Sequence, residues 1–503
     1  MRKKIGLVLA AILIATTLVS CNRSIIETPT NTPTGIQEVN KVAPVEKGNF
    51  YNISAELNTI DKTLDAKESL KYVNNESIDL KELYFHVYTN AFKEKETAPF
   101  LFDDFDRAYS RGFEPGYTEI SKVIIKDGVE LKYSFQGEGN TIMKVELPEP
   151  LKQGSAIDLV IDFAITIPSA NERFGYGENH FNLGNWYPIA AVYDETGWNL
   201  DKYYEIGDPF YSDSSNYEVA IKAPKEYIIA ASGTLLSEKV EGSVKLWQFE
   251  SNNMRDFAFI ANKDFKVTEK NVDGTIVKSY YYKNDEKRGK EALESGANSI
   301  KIFNERFGKY PYPVYSVVET VFPSGMEYPG IVYISDKYYK TLSNSDYLTI
   351  VIVHETAHQW WYSLVGNDQI DEAWLDESFA TYSESIYIEN ALSEERGKNY
   401  FNNSVEEKHN EVIADKVIDG VVVKGLENFK NWDDYGPTVY TRGAVVLNEL
   451  RNKLGDEKFY KIMQQYFEEY KFKIAKTEDF INISEKVAEQ QLDEFFNSWL
   501  YAK

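Results

Sequence analysis

The sequence predicts a multidomain α+β protein in which an N-terminal antiparallel β-rich domain is followed by a mainly helical domain. Three observations carry that prediction. A chain of 503 residues is too long for one core and calls for two or three domains. Between Gly48 and Tyr282 the apolar residues alternate at period two in several runs. From Asp285 onward the pattern turns helical, and one of the helices carries H-E-x-x-H at His354, Glu355 and His358.

Composition bounds the function classes. Hydrophobic residues make up 43% and charged residues 27%, enough apolar content for sizeable cores. The net charge of -24 argues against nucleic acid as a partner and against electrostatic adhesion to anionic lipid. It fits either cationic substrates or simply a solvated acidic surface. A single cysteine, Cys21, rules out a disulfide framework.

Residues 1–20 read as a signal peptide: Arg2, Lys3 and Lys4 precede an apolar run from Ile5 to Leu18. Leu18-Val19-Ser20-Cys21 resembles a bacterial lipobox, in which the cysteine is acylated and becomes the new N-terminus. The alternatives are a plain cleavable signal or an uncleaved anchor, and the lone cysteine at this spot favours lipidation. The expectation is an exported protein, lipid-anchored to the bacterial cell membrane and facing outside the cytoplasm. Residues 21–47 are rich in threonine and proline with little apolar content, a tether.

Residues 48–282 form the predicted β-rich domain. Ile157, Leu159, Ile161, Phe163, Ile165 and Ile167 alternate with Asp158, Val160, Asp162, Ala164 and Thr166. Leu131, Tyr133 and Phe135 alternate likewise after the Asp127-Gly128 turn signal. Further strand-like runs are Tyr217 to Ile221, Tyr227 to Ala231, Val244 to Phe249 and Thr275 to Tyr282. Within FGYGENHFNLGNWYP, Phe174 to Pro188, His180 lies beside Glu178 and Asn179 and is either a cleft residue or a structural histidine of a polar loop. His86 reads as an ordinary strand residue.

Residues 283–503 form the second predicted domain. Asp285 to Phe307 is a long helical stretch closed by Gly308, and Tyr310-Pro311-Tyr312-Pro313 forbids its continuation. Tyr315 to Phe322 reads as a strand. Tyr347 to Val365 is apolar on nearly every side and so predicts a buried helix, with Ser343 and Asp346 as cap candidates and Gly366 as its stop.

On that helix, residues four apart differ by about 40° and about 6 Å of rise, so His354 and His358 can meet one ion. Glu355 points roughly 100° away, where it can hold water without being a ligand. Nineteen residues past His358 lies Glu377, the candidate third ligand. Two imidazoles and one carboxylate leave a tetrahedral position open, which is what hydrolytic zinc needs and structural zinc lacks. Glu384 follows Glu377 by two turns on one face; it either orients a ligand histidine or is a surface carboxylate. Asn367 reads as a helix-stop residue.

H-E-x-x-H with Glu377 inside W-L-D-E-S-F-A resembles the gluzincin aminopeptidase family. The resemblance implies a thermolysin-like zinc-peptidase domain, one zinc ion, and peptide substrates with a free N-terminus. Gly325-Met326-Glu327 is similar to the start of the family's G-x-M-E-N edge, which implies that Glu327 binds the substrate's α-amino group; Tyr328 stands where most members have asparagine. Glycine at 325 lets a backbone approach substrate closely. Tyr440-Thr441-Arg442-Gly443 matches Y-x-K/R-G, which implies that the Tyr440 hydroxyl stabilises the oxyanion, with Tyr435 a weaker neighbour. Glu355 is the implied general base. The family's pocket-lining glutamine and alanine-arginine pair find no match here. The sequence ends after LDEFFNSWL, where larger members continue with two more domains, and a more open cleft is expected. Rival readings are a zinc endopeptidase, a related hydrolase of non-peptide substrates, and a non-catalytic peptide-binding lipoprotein.

Overall fold

The computed structural model describes residues 42–45, 47–340 and 347–501. The signal peptide, Cys21, most of the tether and the cap candidates Ser343 and Asp346 lie outside the described residues.

Alternating sequence becomes a seven-stranded sheet ordered Thr234–Glu241, Val244–Met254, Ser215–Pro224, Phe50–Asn58, Thr63–Val73, Ala156–Thr166, Tyr117–Ile125. Leu159, Ile161, Phe163 and Ile165 all turn into the core, as period two requires. One pair departs from the antiparallel expectation: Phe50–Asn58 runs parallel to Ser215–Pro224. Parallel neighbours need a long crossover, and the other strands between them in sequence provide it.

Two four-stranded sheets complete the β-rich half. One is ordered Ile189–Ala190, Leu80–His86, Ile142–Leu151, Tyr133–Gln136; the other Ile228–Ala231, Phe259–Asn262, His180–Leu183, Phe174–Tyr176. Phe174–Tyr176 and His180–Leu183, within the stretch read as a polar loop around His180, are therefore β structure.

The expected boundary near residue 283 falls inside a five-stranded sheet ordered Phe265–Val272, Thr275–Tyr282, Val314–Thr320, Ile331–Ser335, Gly325–Met326. Thr275–Tyr282 pairs in parallel with Val314–Thr320, and the helix Glu286–Arg306 makes the crossover between them. The last hairpin of the predicted first domain thus builds the sheet that supports the second. Gly325–Met326 is its antiparallel edge, which delivers Glu327 to the cleft.

The buried helix starts at Tyr347 but ends at Ala357, short of the expected Val365. Two adjacent tryptophans explain the early stop. The indole N–H of Trp360 reaches the Gly308 carbonyl at 2.8 Å, while that of Trp361 reaches Ser383 Oγ at 3.3 Å. The chain tightens through Gln359 and Trp360, whose N–H groups bond to Thr356 and Ala357, then turns at Tyr362 with φ 126°. Val365–Gly366 continues as a short strand beside Lys473–Ile474. Helix Trp374–Ala391, buried from Trp374 to Ile388, packs against this helix and against Gly443–Leu454.

Candidate metal centre and cleft

His354 lies in the last turn of Tyr347–Ala357, His358 just past it, and Glu377 in the first turn of Trp374–Ala391. Their side chains form a triangle: Nε2 of His354, Nε2 of His358 and Oε2 of Glu377 are each 3.2 Å from the other two. Tetrahedral zinc with Zn–N of about 2.0–2.1 Å sets its ligand atoms roughly 3.3 Å apart. The other ring nitrogens are committed elsewhere. His354 Nδ1–H donates to Glu384 Oε1 at 2.8 Å, and His358 Nδ1–H donates to the Trp361 carbonyl at 3.1 Å. Both imidazoles therefore aim an Nε2 lone pair at one point, and the residues present fit a zinc ion. Of the two readings of Glu384, the geometry places it on the histidine: it is buried, and its other oxygen accepts from the Tyr400 hydroxyl.

The triangle opens into a cleft of about 540 Å³. Glu355 lines it, with Oε2 free of hydrogen bonds among the described residues. Burial pushes its carboxyl up, to about 7, against the pull of His354 and His358. Burial acts the same way on Glu377, but there His358 and His354 prevail and hold it ionised, well below the usual carboxylate range. Gly325 lines the cleft and also makes room for Glu355. A Cβ at 325 would lie 2.1 Å from Glu355 Oε1, so any side chain there would displace the carboxylate.

Tyr440 stacks on the His354 ring, 5.8 Å between centroids, and its hydroxyl donates to Glu377 Oε1 at 2.5 Å. Burial raises its pKa well above 10, so the phenol stays a neutral donor. Tyr435 lies edge-on to Tyr440 at 5.9 Å. Glu327 is buried in the same cleft, with one carboxylate oxygen within 4.8 Å of a carboxylate oxygen of Glu355 and a ring nitrogen of His358.

Several cleft residues carried no signal in the sequence. Asp208 joins Glu327 and Glu377 in a second cluster within 4.8 Å. Arg173 pairs with Asp208, donates to Met326 Sδ at 3.0 Å, and lies over Phe322. Arg107 pairs with buried Glu172 at 2.8 Å. These residues come from irregular segments and a short helix of the β-rich half, where no periodicity marks a site. His180 does not line the cleft. It is buried, and Asn179 beside it donates to Asp264. His86 bonds to the Asn199 carbonyl at 3.2 Å, and Asn367 to the Glu372 carbonyl at 3.3 Å, both structural contacts.

Residues 291–499 match the Peptidase family M1 domain. Among curated relatives, Aminopeptidase M1-A of Oryza sativa subsp. japonica is 27% identical over 297 residues, covering 56% of this chain and 34% of that protein. Aminopeptidase N of Lactobacillus delbrueckii subsp. lactis is 24% identical over 411 residues, covering 76% of this chain and 46% of that protein. The chain thus spans about a third to a half of the curated relatives it matches. The crystal structure of an M1 zinc metallopeptidase from Deinococcus radiodurans superposes with a TM-score of 0.62 at 16% identity, covering 92% of this chain and 96% of that one. A variant of that enzyme, crystallised with a Tyr-ser-ala substrate, superposes with a TM-score of 0.61. The motifs, the domain matched over residues 291–499 and the shared architecture of a β-rich half followed by a helical one make this chain similar to the M1 zinc peptidases.

Proposed function

We propose that this protein is a zinc-dependent aminopeptidase that hydrolyses the N-terminal peptide bond of peptides. One zinc ion held by His354, His358 and Glu377 would supply a Lewis acid for the scissile carbonyl and lower the pKa of water beside it. Glu355, with one oxygen free of protein partners, accepts the proton of the attacking water and passes it to the leaving amine. Tyr440 transfers its hydrogen bond from Glu377 to the developing oxyanion, a contribution of roughly 3–4 kcal/mol in comparable sites. Glu327 and Asp208 receive the α-ammonium, and Arg173 keeps Asp208 from being an uncompensated charge before substrate arrives. A blocked N-terminus would leave buried Glu327 without its cationic partner, and that penalty makes the enzyme an exopeptidase.

The observation that carries this reading is the placement of a carboxylate pair, Glu327 and Asp208, in the cleft that the metal triangle opens onto. Aminoacyl anilides and their acetylated counterparts, each with and without chelator, test it. Free amines should turn over and lose activity with chelator, whereas acetylated ones should be nearly inert; equal cleavage of both would return the site to the endopeptidase reading.

The lipobox reading leads us to place the enzyme on the outer side of the cell membrane, held by an acylated Cys21. Among the described residues no helix is long and apolar enough to cross a membrane. Radioactive palmitate should label the wild type and not Cys21→Ala, and equal labelling would remove the anchor.

A further inference from the structure

The segment Met326-Glu327-Tyr328 is tied to both halves of the molecule, and its three residues are held in different ways. Arg173 holds the Met326 sulfur. Gln359, next after the ligand His358, clamps the backbone: its Oε1 accepts from Gly330 N–H at 2.8 Å, and its Nε2 donates to the carbonyls of Glu327 and Tyr328 at 3.4 and 3.3 Å. Tyr328 is fully buried and does not line the cleft. Its hydroxyl donates to Asn185 Oδ1 at 2.6 Å. Asn185 Nδ2 donates in turn to Asp256 at 2.8 Å, and Asp256 also accepts from the Tyr187 hydroxyl at 3.0 Å and from Phe257 N–H at 2.6 Å.

The seat for this phenol is built into the β-rich half. A Cβ at Gly184 would lie 2.0 Å from the Tyr328 hydroxyl oxygen. Asn185 holds a left-handed backbone, φ 48°, which asparagine tolerates better than most residues. A chain that needed only to fill this volume would not require a hydroxyl aimed at a carbonyl oxygen already fixed by a buried carboxylate.

We infer that Tyr328 is a positioning residue that fixes Glu327 relative to the metal triangle, with Asn185 as one anchor and Gln359 as the other. The inference rests on the aminopeptidase reading and deepens it: the distance from Glu327 to the triangle sets which bond is cut, one residue from the free amine. Tyr328 itself touches no substrate.

The test compares wild type, Tyr328→Phe and Gly184→Ala on a leucine anilide and its acetylated form, with zinc content measured alongside. Tyr328→Phe deletes the hydroxyl and keeps the ring; Gly184→Ala keeps the hydroxyl and displaces it. In each variant the kcat/KM ratio of free over acetylated substrate should fall about tenfold, the value of one buried hydrogen bond, mainly through KM of the free amine and with zinc retained. A variant that fails to fold leaves the decision to the other. An unchanged ratio overturns the inference whether or not thermal stability drops, and so does an equal loss on both substrates, which would mark a purely structural tyrosine. Failure of the aminopeptidase reading shows separately, in a wild type that cleaves both anilides alike or neither.

Discussion

Nδ1 of His354 sits 2.8 Å from Oε1 of Glu384, a residue on the same helix as the ligand Glu377 and two turns farther along. In the proposed site one helix thus supplies both a ligand and the group that orients another ligand. Removing such an orienting carboxylate weakens metal binding about 10- to 100-fold in comparable sites. Glu384→Ala should show that loss in a chelator-competition titration, and Glu384→Gln a smaller one because its amide oxygen still accepts from Nδ1–H. Zinc affinity equal to wild type in Glu384→Ala would reduce the residue to a packing role.

Glu355 lies between the two histidines in sequence but has a different proposed task. Glu355→Gln keeps the shape of the side chain against Gly325 and removes the proposed base. Metal analysis should find full zinc, with kcat lowered about 10²- to 10⁴-fold. His354→Ala should fail the other way, losing zinc first. If Glu355→Gln lost its metal as well, the separation of ligand from base would be wrong.

Tyr440→Phe removes a donor while the ring still stacks on His354. On the proposed mechanism the hydroxyl acts on charge that develops only in the transition state, so kcat should fall about 10²- to 10³-fold with KM little changed. A steady-state series on a free aminoacyl anilide measures both constants. A large rise in KM with normal kcat would instead assign Tyr440 to substrate binding.

What could be read from sequence was whatever helix or strand periodicity converts directly into space. His354 and His358 at four residues, and Glu377 and Glu384 at seven, share faces because 3.6 residues make a turn. One central strand of the seven-stranded sheet, Ala156–Thr166, was legible in the alternation from Ile157 to Ile167 for the same reason. Contacts between distant segments were not. Tyr328 finds Asn185 across 143 residues, and Arg173 finds Met326 across 153, with nothing local to mark either pairing. The helix end at Ala357 was hidden because Trp360 and Trp361 read as apolar helix positions until each indole N–H is seen to need its own acceptor. The sheet crossing residue 283 was missed because the change from strand to helix pattern there marks a β-to-helix crossover rather than a domain edge.

Glu68 offers a test of stability rather than catalysis. It lies on the inward face of Thr63–Val73, opposite Ile53 and Ile161 in the neighbouring strands, fully buried and with neither carboxylate oxygen hydrogen-bonded among the described residues. Burial raises its pKa well above the ordinary value, so the folded state holds the proton that the unfolded chain releases above about 4.3. Its contribution to stability is therefore complete below that pH and is lost as pH rises toward the folded-state pKa. Glu68→Met, similar in length and without charge, should stabilise the protein by roughly 1–3 kcal/mol near pH 8 and have little effect near pH 4. Denaturant melts of both proteins across that range measure the difference. A gap that stayed constant with pH would mean that Glu68 is ionised or neutral alike in both states, and that its cost is steric.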